Sequence, residues 1–292
     1  MKILILGHTG FLGKNVHKHL KSSESNQLAC ISSADLDLTS QDSHKYLRNY
    51  LDSQDIVVFC SGVKKQLGDN IDSFNKNSLI VDNFLKGVVH EQPKKIIFFS
   101  SAAVYGEDIA YTEKIDEETS VQPRTYYGKS KFTAENLLTK VCIENNIKLI
   151  KVRPPLIYGK DDLSRGYGPT GFTYKAMNNE EIVLWGDGSE YREFVYIDDV
   201  GKSIARLINN EYEGVLNLVS GCSYTFNDIL DCLKNILGRD IKIEFRERSK
   251  KKVNHHYSNQ LFKEVIPSVK FTNLEEGLKK LTSQIRKSNE KK

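Results

Sequence analysis

Lys2-Ile-Leu-Ile-Leu-Gly-His-Thr-Gly-Phe-Leu-Gly13 decides how this 292-residue chain is read. Four consecutive apolar residues, Ile3–Leu6, leave no polar face, the pattern of a strand buried on both sides of a parallel sheet. Gly7, Gly10 and Gly13 follow at once in the spacing G-x-x-G-x-x-G, and helix periodicity runs from Phe11 to Leu20. Glycines at such a turn permit a tight bend and let backbone approach a pyrophosphate, whose charge the helix N-terminus receives. The stretch therefore predicts a dinucleotide-binding turn.

Outward from it, Gln27–Ile31, Asp55–Cys60, Lys95–Ser100 and Ile147–Val152 read as further strands, with helical stretches near 43–51, 71–90 and 125–145. This alternation predicts an α/β fold, a Rossmann-type doubly wound parallel sheet over residues 1–153. From Pro154 the rhythm breaks into short strands and helices near 171–178, 198–209, 225–237 and 272–286. Residues 154–292 are expected to form mainly a smaller C-terminal α/β substrate-binding lobe, with 194–220 returning to the first domain.

Composition narrows the class. With 39% hydrophobic and 27% charged residues the chain reads as an ordinary soluble globular protein. The net charge of +4 is small, and much of it sits in Arg248–Lys252 and Arg286–Lys292, which read as solvated surface. Without interleaved aromatics these runs argue against a nucleic-acid partner. Cys30, Cys60, Cys142, Cys222 and Cys232 show no C-x-x-C spacing, which argues against a zinc site or a disulfide framework and fits a reducing compartment. The N-terminal apolar run is too short for a signal peptide, and nothing approaches the roughly 20 apolar residues of a membrane span. A cytoplasmic protein with no membrane association and no metal is expected.

Tyr127 and Lys131 lie four residues apart in Arg124-Thr-Tyr-Tyr-Gly-Lys-Ser-Lys131, on one face of a predicted helix. A cation there favours the phenolate and pulls the phenol from its usual pKa near 10 toward neutrality. Such a tyrosine can pass a proton to or from a hydroxyl or carbonyl. Alone, Tyr-x-x-x-Lys reads as a chance surface pair; the glycine turn upstream lifts it. The second strand ends Cys30-Ile-Ser-Ser33, with no carboxylate before Asp35. A carboxylate at that end holds a ribose 2′-hydroxyl and repels a 2′-phosphate, so Ser32 and Ser33 favour NADP over NAD.

Further motifs follow in order: Asp37-Leu38, Asp55–Gly62, Asn75, Ser100-Ser-Ala-Ala-Val-Tyr-Gly106, Arg153-Pro154, Tyr158-Gly159 and Gly186-Asp-Gly-Ser-Glu-Tyr-Arg-Glu-Phe-Val-Tyr-Ile-Asp-Asp-Val200. Together they resemble the extended short-chain dehydrogenase/reductase family of nucleotide-sugar epimerases, dehydratases and reductases, across nearly the whole chain. The resemblance implies Tyr127 as general acid/base, Lys131 as the cation on the nicotinamide ribose that lowers the Tyr127 pKa, and Ser101 as the residue placing the reacting oxygen. It implies cofactor contacts from Gly7, Thr9, Gly10, Phe11, Leu12, Gly13, Ser32, Ser33, Asp37 (toward the adenine amino group), Leu38, Cys60, Ser61, Gly62, Asn75, Ser100, Lys131 and Pro154. Asp55–Gly62 is read as closing the fourth strand. Substrate contacts are implied for Ser101, Ala102, Tyr127, Leu156 and Arg192. Arg192 would clamp a substrate diphosphate, with a second cation from Arg248–Lys252. His8 is expected beside the phosphates, His255-His256 at the surface, and Trp185 packed in the second lobe.

Departures from the family pattern narrow the chemistry. Members that dehydrate carry Asp-Glu after the catalytic hydroxyl residue, where this chain has Ala102 and Ala103, and alanine transfers no proton. The cysteine of members that epimerise C3 and C5 and the glutamate of decarboxylating members are absent as well. What remains is C4 reduction of a 4-keto-6-deoxy nucleotide sugar, for surface polysaccharide synthesis, or C4 epimerisation with a tightly held NAD. The short chain, the missing strand-end acid and the compressed stretch between Ser32 and Asp37 favour the NADP reductase. Leu156 replaces an asparagine common two residues before the Tyr-Gly pair, so the sugar is expected to sit differently. A silent NAD(P)-binding regulator is the rival of another class, disfavoured because Ser101, Tyr127 and Lys131 are all kept. Family dimers imply a homodimer through helices 71–90 and 125–145.

Overall fold

A computed structural model describes residues 2–22, 27–249 and 251–290, so Lys250 of the basic run and Lys291-Lys292 of the tail lie outside the described residues. The opening run forms strand β1 (Lys2–Leu6), followed by α1 (Phe11–Lys21), β2 (Gln27–Ile31), α2 (Ser43–Leu47), β3 (Ile56–Phe59), α3 (Ile71–Glu91), β4 (Lys95–Phe99), α4 (Tyr126–Glu144) and β5 (Lys148–Arg153). These strands and a later one build a six-stranded parallel sheet in the order β2-β1-β3-β4-β5-β9. Side chains alternate across it: Ile3, Ile5, Val58, Ile97 and Phe99 join one core, whereas Leu4, Leu6, Phe59 and Phe98 join the other beneath α3 and α4. With helices on both faces the central strands β3 and β4 are buried at every position, which is why they read as unbroken apolar runs.

One strand assignment needs correction. Ile56–Phe59 is the third strand, not the fourth, and pairs directly with β1. The link from β2 carries turns and the short α2, and among the described residues no further strand lies outside β2. The sheet order reverses between β1 and β3, the switch point at which parallel α/β sheets hold ligands.

The rest of the chain supplies β6 (Leu156–Tyr158), α5 (Pro169–Met177), β7 (Ile182–Trp185), β8 (Tyr191–Tyr196), α6 (Ile197–Leu207), β9 (Gly214–Asn217), β10 (Ser223–Thr225), α7 (Phe226–Leu237), β11 (Ile243–Arg246), α8 (Gln260–Val265) and α9 (Leu274–Asn289). Two small sheets, β10-β8-β6 and β11-β7, stand outside the main one, to which the chain returns at β9. Adjacent acids in the first turn of α6 tie the parts together. Asp198 accepts hydrogen bonds from Asn15 and Lys18 of α1 at 2.9 Å each, and buried Asp199 accepts the Thr272 N–H at 2.7 Å. Trp185 does not pack the lobe. It closes β7 half exposed, with its register partner Arg246 5.9 Å from its ring.

Candidate active site

The carboxyl ends of β1, β4 and β5 open into a cleft of ≈ 460 Å³ that also reaches β6 and β8. Its wall contains Phe11 and Leu12 from the glycine turn, Ser100 to Ala103, Tyr127, Pro154, Leu156 and Arg192. Residues from 11 to 192 in sequence thus meet in one place. Among the described residues no group of three or more His, Cys, Asp or Glu could hold a metal ion.

The glycine turn suits a close-lying anion. A Cβ on Gly13 would stand 2.2 Å from the Gly7 carbonyl oxygen, so only glycine lets α1 begin this near the turn. No side chain caps α1, which leaves its first N–H groups open toward a phosphate, and Thr9 and Gly10 are exposed beside them. His8 keeps a buried Nδ1 without a partner. These features fit a dinucleotide pyrophosphate.

At the end of β2 the tertiary structure adds an acid that the strand itself lacks. Asp35 folds back through the compressed turn, and its Oδ2 accepts the Ser32 N–H at 2.8 Å and the Ser32 hydroxyl at 2.7 Å. Those bonds hold its carboxyl below the usual range. The charge missing from the strand is therefore returned to the strand end, and the Ser32 hydroxyl is already engaged. Ser33 is exposed, Leu38 is packed in the core, and the exposed Asp37 uses Oδ1 to accept the Thr39 N–H at 2.8 Å.

Beyond β3, Cys60 donates its N–H to Leu6 O, while Ser61 borders the Gly7 turn and Gly62 the buried ammonium of Lys131. Asn75 is not part of this wall: it is exposed on the outer face of α3. Two residues further round the helix, buried Asn77 accepts the Val63 N–H at 2.7 Å, donates to Val63 O at 3.2 Å and reaches Ser130 at 3.3 Å. A two-residue step turns a helix by roughly 200°, enough to exchange its faces.

Ser101, Tyr127 and Lys131 do converge. Ser101 caps the short turn Ala102–Tyr105, its Oγ accepting the Ala103 N–H at 3.1 Å. A Cβ on Gly128 would lie 2.6 Å from the Ala103 oxygen, so the α4 N-terminus presses directly on that turn and carries Tyr127 to Ser101. Lys131 Nζ donates to the Phe99 carbonyl at 2.8 Å and lies 5.8 Å from the Tyr127 ring centre. The pKa expectation is overturned for the ligand-free cleft. Burial drives the Tyr127 phenol up to about 12, against a hydrogen bond with Ser101 that pulls it down. Burial also pushes Lys131 down to about 8. At neutral pH the phenol holds its proton.

The helix itself is fixed by a residue that the motif search missed. Glu135 follows Lys131 by one more turn, and its carboxylate forks onto Arg153, Oε1 to Nε at 2.9 Å and Oε2 to Nη2 at 2.6 Å. Arg153 Nη1 reaches the Tyr105 hydroxyl at 2.9 Å, which donates to Asn217 Oδ1 at 2.8 Å. Ser100, expected at the cofactor, lines the cleft and donates its hydroxyl to Glu135 at 2.5 Å. The i, i+4, i+8 spacing of Tyr127, Lys131 and Glu135 was the available signal.

In the second half of the cleft, Leu156 is 40% exposed and Arg192 is bonded to Glu190. His255 is not a surface residue: it is buried in the cleft wall, its Nε2 3.0 Å from Ile109 O, whereas His256 is exposed. Burial lowers the His255 pKa, which keeps it neutral.

Glu135→Gln tests the buried network. Removing one partner strands the Arg153 charge, at a cost of about 3–5 kcal/mol. A lower urea midpoint is expected, and an unchanged one would sink the assignment.

Comparison with known proteins identifies the family and the fold. The family model described as "NAD dependent epimerase/dehydratase family" matches residues 3–218. GDP-L-colitose synthase of Yersinia pseudotuberculosis is 26% identical over 260 residues, 82% of each chain. A putative UDP-glucose 4-epimerase of Methanocaldococcus jannaschii is 30% identical over 147 residues, and that match spans about half of either protein, 49% of this chain and 47% of the relative. Among solved structures, a UDP-N-acetylglucosamine 4-epimerase from Methanobrevibacter ruminantium M1, in complex with UDP-N-acetylmuramic acid, superimposes with a TM-score of 0.86 at 22% identity, covering 98% of both chains. Because the family match runs unbroken from β1 to β9, the strand at the far edge of the sheet, the chain belongs to the NAD dependent epimerase/dehydratase family.

Proposed function

We propose that the protein is an enzyme performing redox chemistry at C4 of a nucleotide-diphosphate sugar with NAD, in the 4-epimerase mode. The observation that carries the reaction is the meeting of Ser101 and Tyr127 in the cleft wall, with buried Lys131 behind the Tyr127 ring and Ala102 and Ala103 as the next wall residues. An acid/base flanked by alanines rather than by the paired acids of the dehydrating members suits a step that moves a single hydroxyl proton. When bound, the nicotinamide supplies a hydride acceptor and donor. As the phenolate, the form that the Lys131 charge favours, Tyr127 would take the C4 hydroxyl proton and then return it to the ketone oxygen. Ser101 holds that oxygen, and Lys131 carries positive charge beside the developing phenolate. Leu156, at the mouth, offers the sugar an apolar contact with room to turn. Arg192 engages the diphosphate. In this reading residues 1–153 hold the cofactor and 154–292 mainly form the substrate lobe.

The choice of NAD rests on Asp35. Its carboxylate at the β2 end repels a 2′-phosphate and suits a ribose diol, which reverses the preference for NADP drawn from Ser32 and Ser33. Similar solved structures are bound to NAD and UDP sugars, which supports the ligand class. A second reading, C4 reduction of a 4-keto sugar, is favoured by the phenol that keeps its proton at neutral pH and by the likeness to GDP-L-colitose synthase. We also propose a homodimer through α3 and α4, whose outer faces expose Leu79, Val89 and Leu137.

Purified protein with UDP and GDP sugars is expected to interconvert C4 epimers without added reductant; consumption of NADH or NADPH by a 4-keto sugar, with no interconversion, would establish the reductase instead. Tyr127→Phe is expected to lower kcat by about 10²–10⁴ while sugar binding persists, and unchanged turnover would remove Tyr127 as the acid/base. Asp35→Asn is expected to narrow the preference for NAD over NADP by about tenfold in calorimetric titrations; an equal preference before and after the change would refute its role. Sedimentation should give twice the mass of one chain, falling to one for Leu137→Glu, and a wild-type monomer would end the dimer proposal.

A further inference from the structure

Glu190 lies between two arginines that reach it from different parts of the chain. Its Oε1 accepts from Arg192 Nη2 at 2.8 Å, pairs with Arg248 Nη1 at 2.9 Å and accepts the Val253 N–H at 3.0 Å. The three charged side chains are enclosed, 13% exposed for Glu190, 18% for Arg192 and 17% for Arg248. Glu190 and Arg192 both line the cleft that holds Tyr127. Two guanidiniums meeting on one oxygen is the arrangement that also receives a phosphate oxygen. Neither arginine depends on the carboxylate alone for its place. Arg192 Nη1 donates to Tyr191 O at 2.9 Å and to Val253 O, and Arg248 Nη2 donates to Trp185 O at 3.1 Å.

Building on the reading of Arg192 as the diphosphate contact, we infer that Glu190 is a built-in counter-anion occupying the diphosphate subsite, with which a nucleoside diphosphate competes for Arg192 and Arg248. Two enclosed guanidiniums without an anion would be costly, and the carboxylate removes that cost while the cleft is empty. A ligand must outbid it, so a neutral sugar has no means of entry, whereas a diphosphate carries enough charge to satisfy both arginines. The same competition weakens the hold on the nucleotide and eases release of the product. The cluster has two positive charges and one negative, net +1, and an arriving diphosphate meets that reduced field rather than the full one.

Glu190→Gln keeps the length and an acceptor oxygen but raises the cluster to +2. Calorimetric titration of the full chain with UDP and GDP is the test. The nucleotide that binds is expected to bind about tenfold more tightly to the variant, with a steeper loss of affinity as salt rises. Glu190→Ala removes the carboxylate altogether and carries the same expectation, should the glutamine variant be unstable. Equal or weaker binding by both variants overturns the inference and makes Glu190 a positioning residue for the arginines. Arg192→Met in the Glu190→Gln background separates this from the underlying reading, because no carboxylate is then left unpaired. If that change leaves nucleotide affinity untouched, the diphosphate role of Arg192 fails. If it abolishes tight binding while Glu190→Gln alone does not tighten it, only the counter-anion is refuted.

Discussion

Glu135 and Arg153 face each other through a two-pronged ion pair, 2% and 5% exposed, where helix α4 crosses the end of β5. Burial opposes the Arg153 charge, yet its bonds to Glu135 and Tyr105 raise its pKa above the usual range, so it stays cationic. Charges this deep are tolerated only when every donor finds an acceptor, and that requirement fixes several elements at once. Ser100 at the end of β4, Tyr105 in the turn and Asn217 on β9 all join the pair. Tyr127 and Lys131 ride on the same helix, two turns and one turn ahead of Glu135. Their positions in the cleft follow from where that carboxylate is anchored.

The cleft is an electrostatic compromise. Burial shifts three titratable side chains in and beside it toward their uncharged forms: the Tyr127 phenol up to about 12, Lys131 down to about 8, and Glu193 in the cleft wall up to about 7. Glu193 retains a buried oxygen without a partner, although its other oxygen accepts the Gly221 N–H at 3.1 Å. Groups poised in this way change charge readily when a polar ligand replaces water. Glu190 plays the complementary part for the arginines, supplying an anion where none has yet arrived.

Much of this was legible in advance. The apolar strands, the glycine turn and the helices near 71–90 and 125–145 follow local rules, in which period, spacing and glycine conformational freedom act within a few residues. That Tyr127, Lys131 and Ser101 would meet was legible only from the ordered motifs around them, because Tyr-x-x-x-Lys alone reads as a chance surface pair. Asn75 proved exposed and Asn77 buried, since a helix face depends on how the helix is rotated against the sheet. Asp35 was discounted because it is not in the strand, yet a turn of three residues brings it back to Ser32. His255 was read as surface because its burial comes from Ile109 and Tyr191, residues 146 and 64 positions away.

By itself the sequence determined the order of strands and helices, the dinucleotide turn and the Tyr127–Lys131 pair, because backbone geometry and hydrophobic period are local properties. Only the tertiary structure decided that Asp35 folds back onto the end of β2, that Glu135 anchors α4 and that Tyr127 keeps its proton. Burial and charge pairing arise between residues far apart in the chain, and a protonation state is set by what surrounds a group.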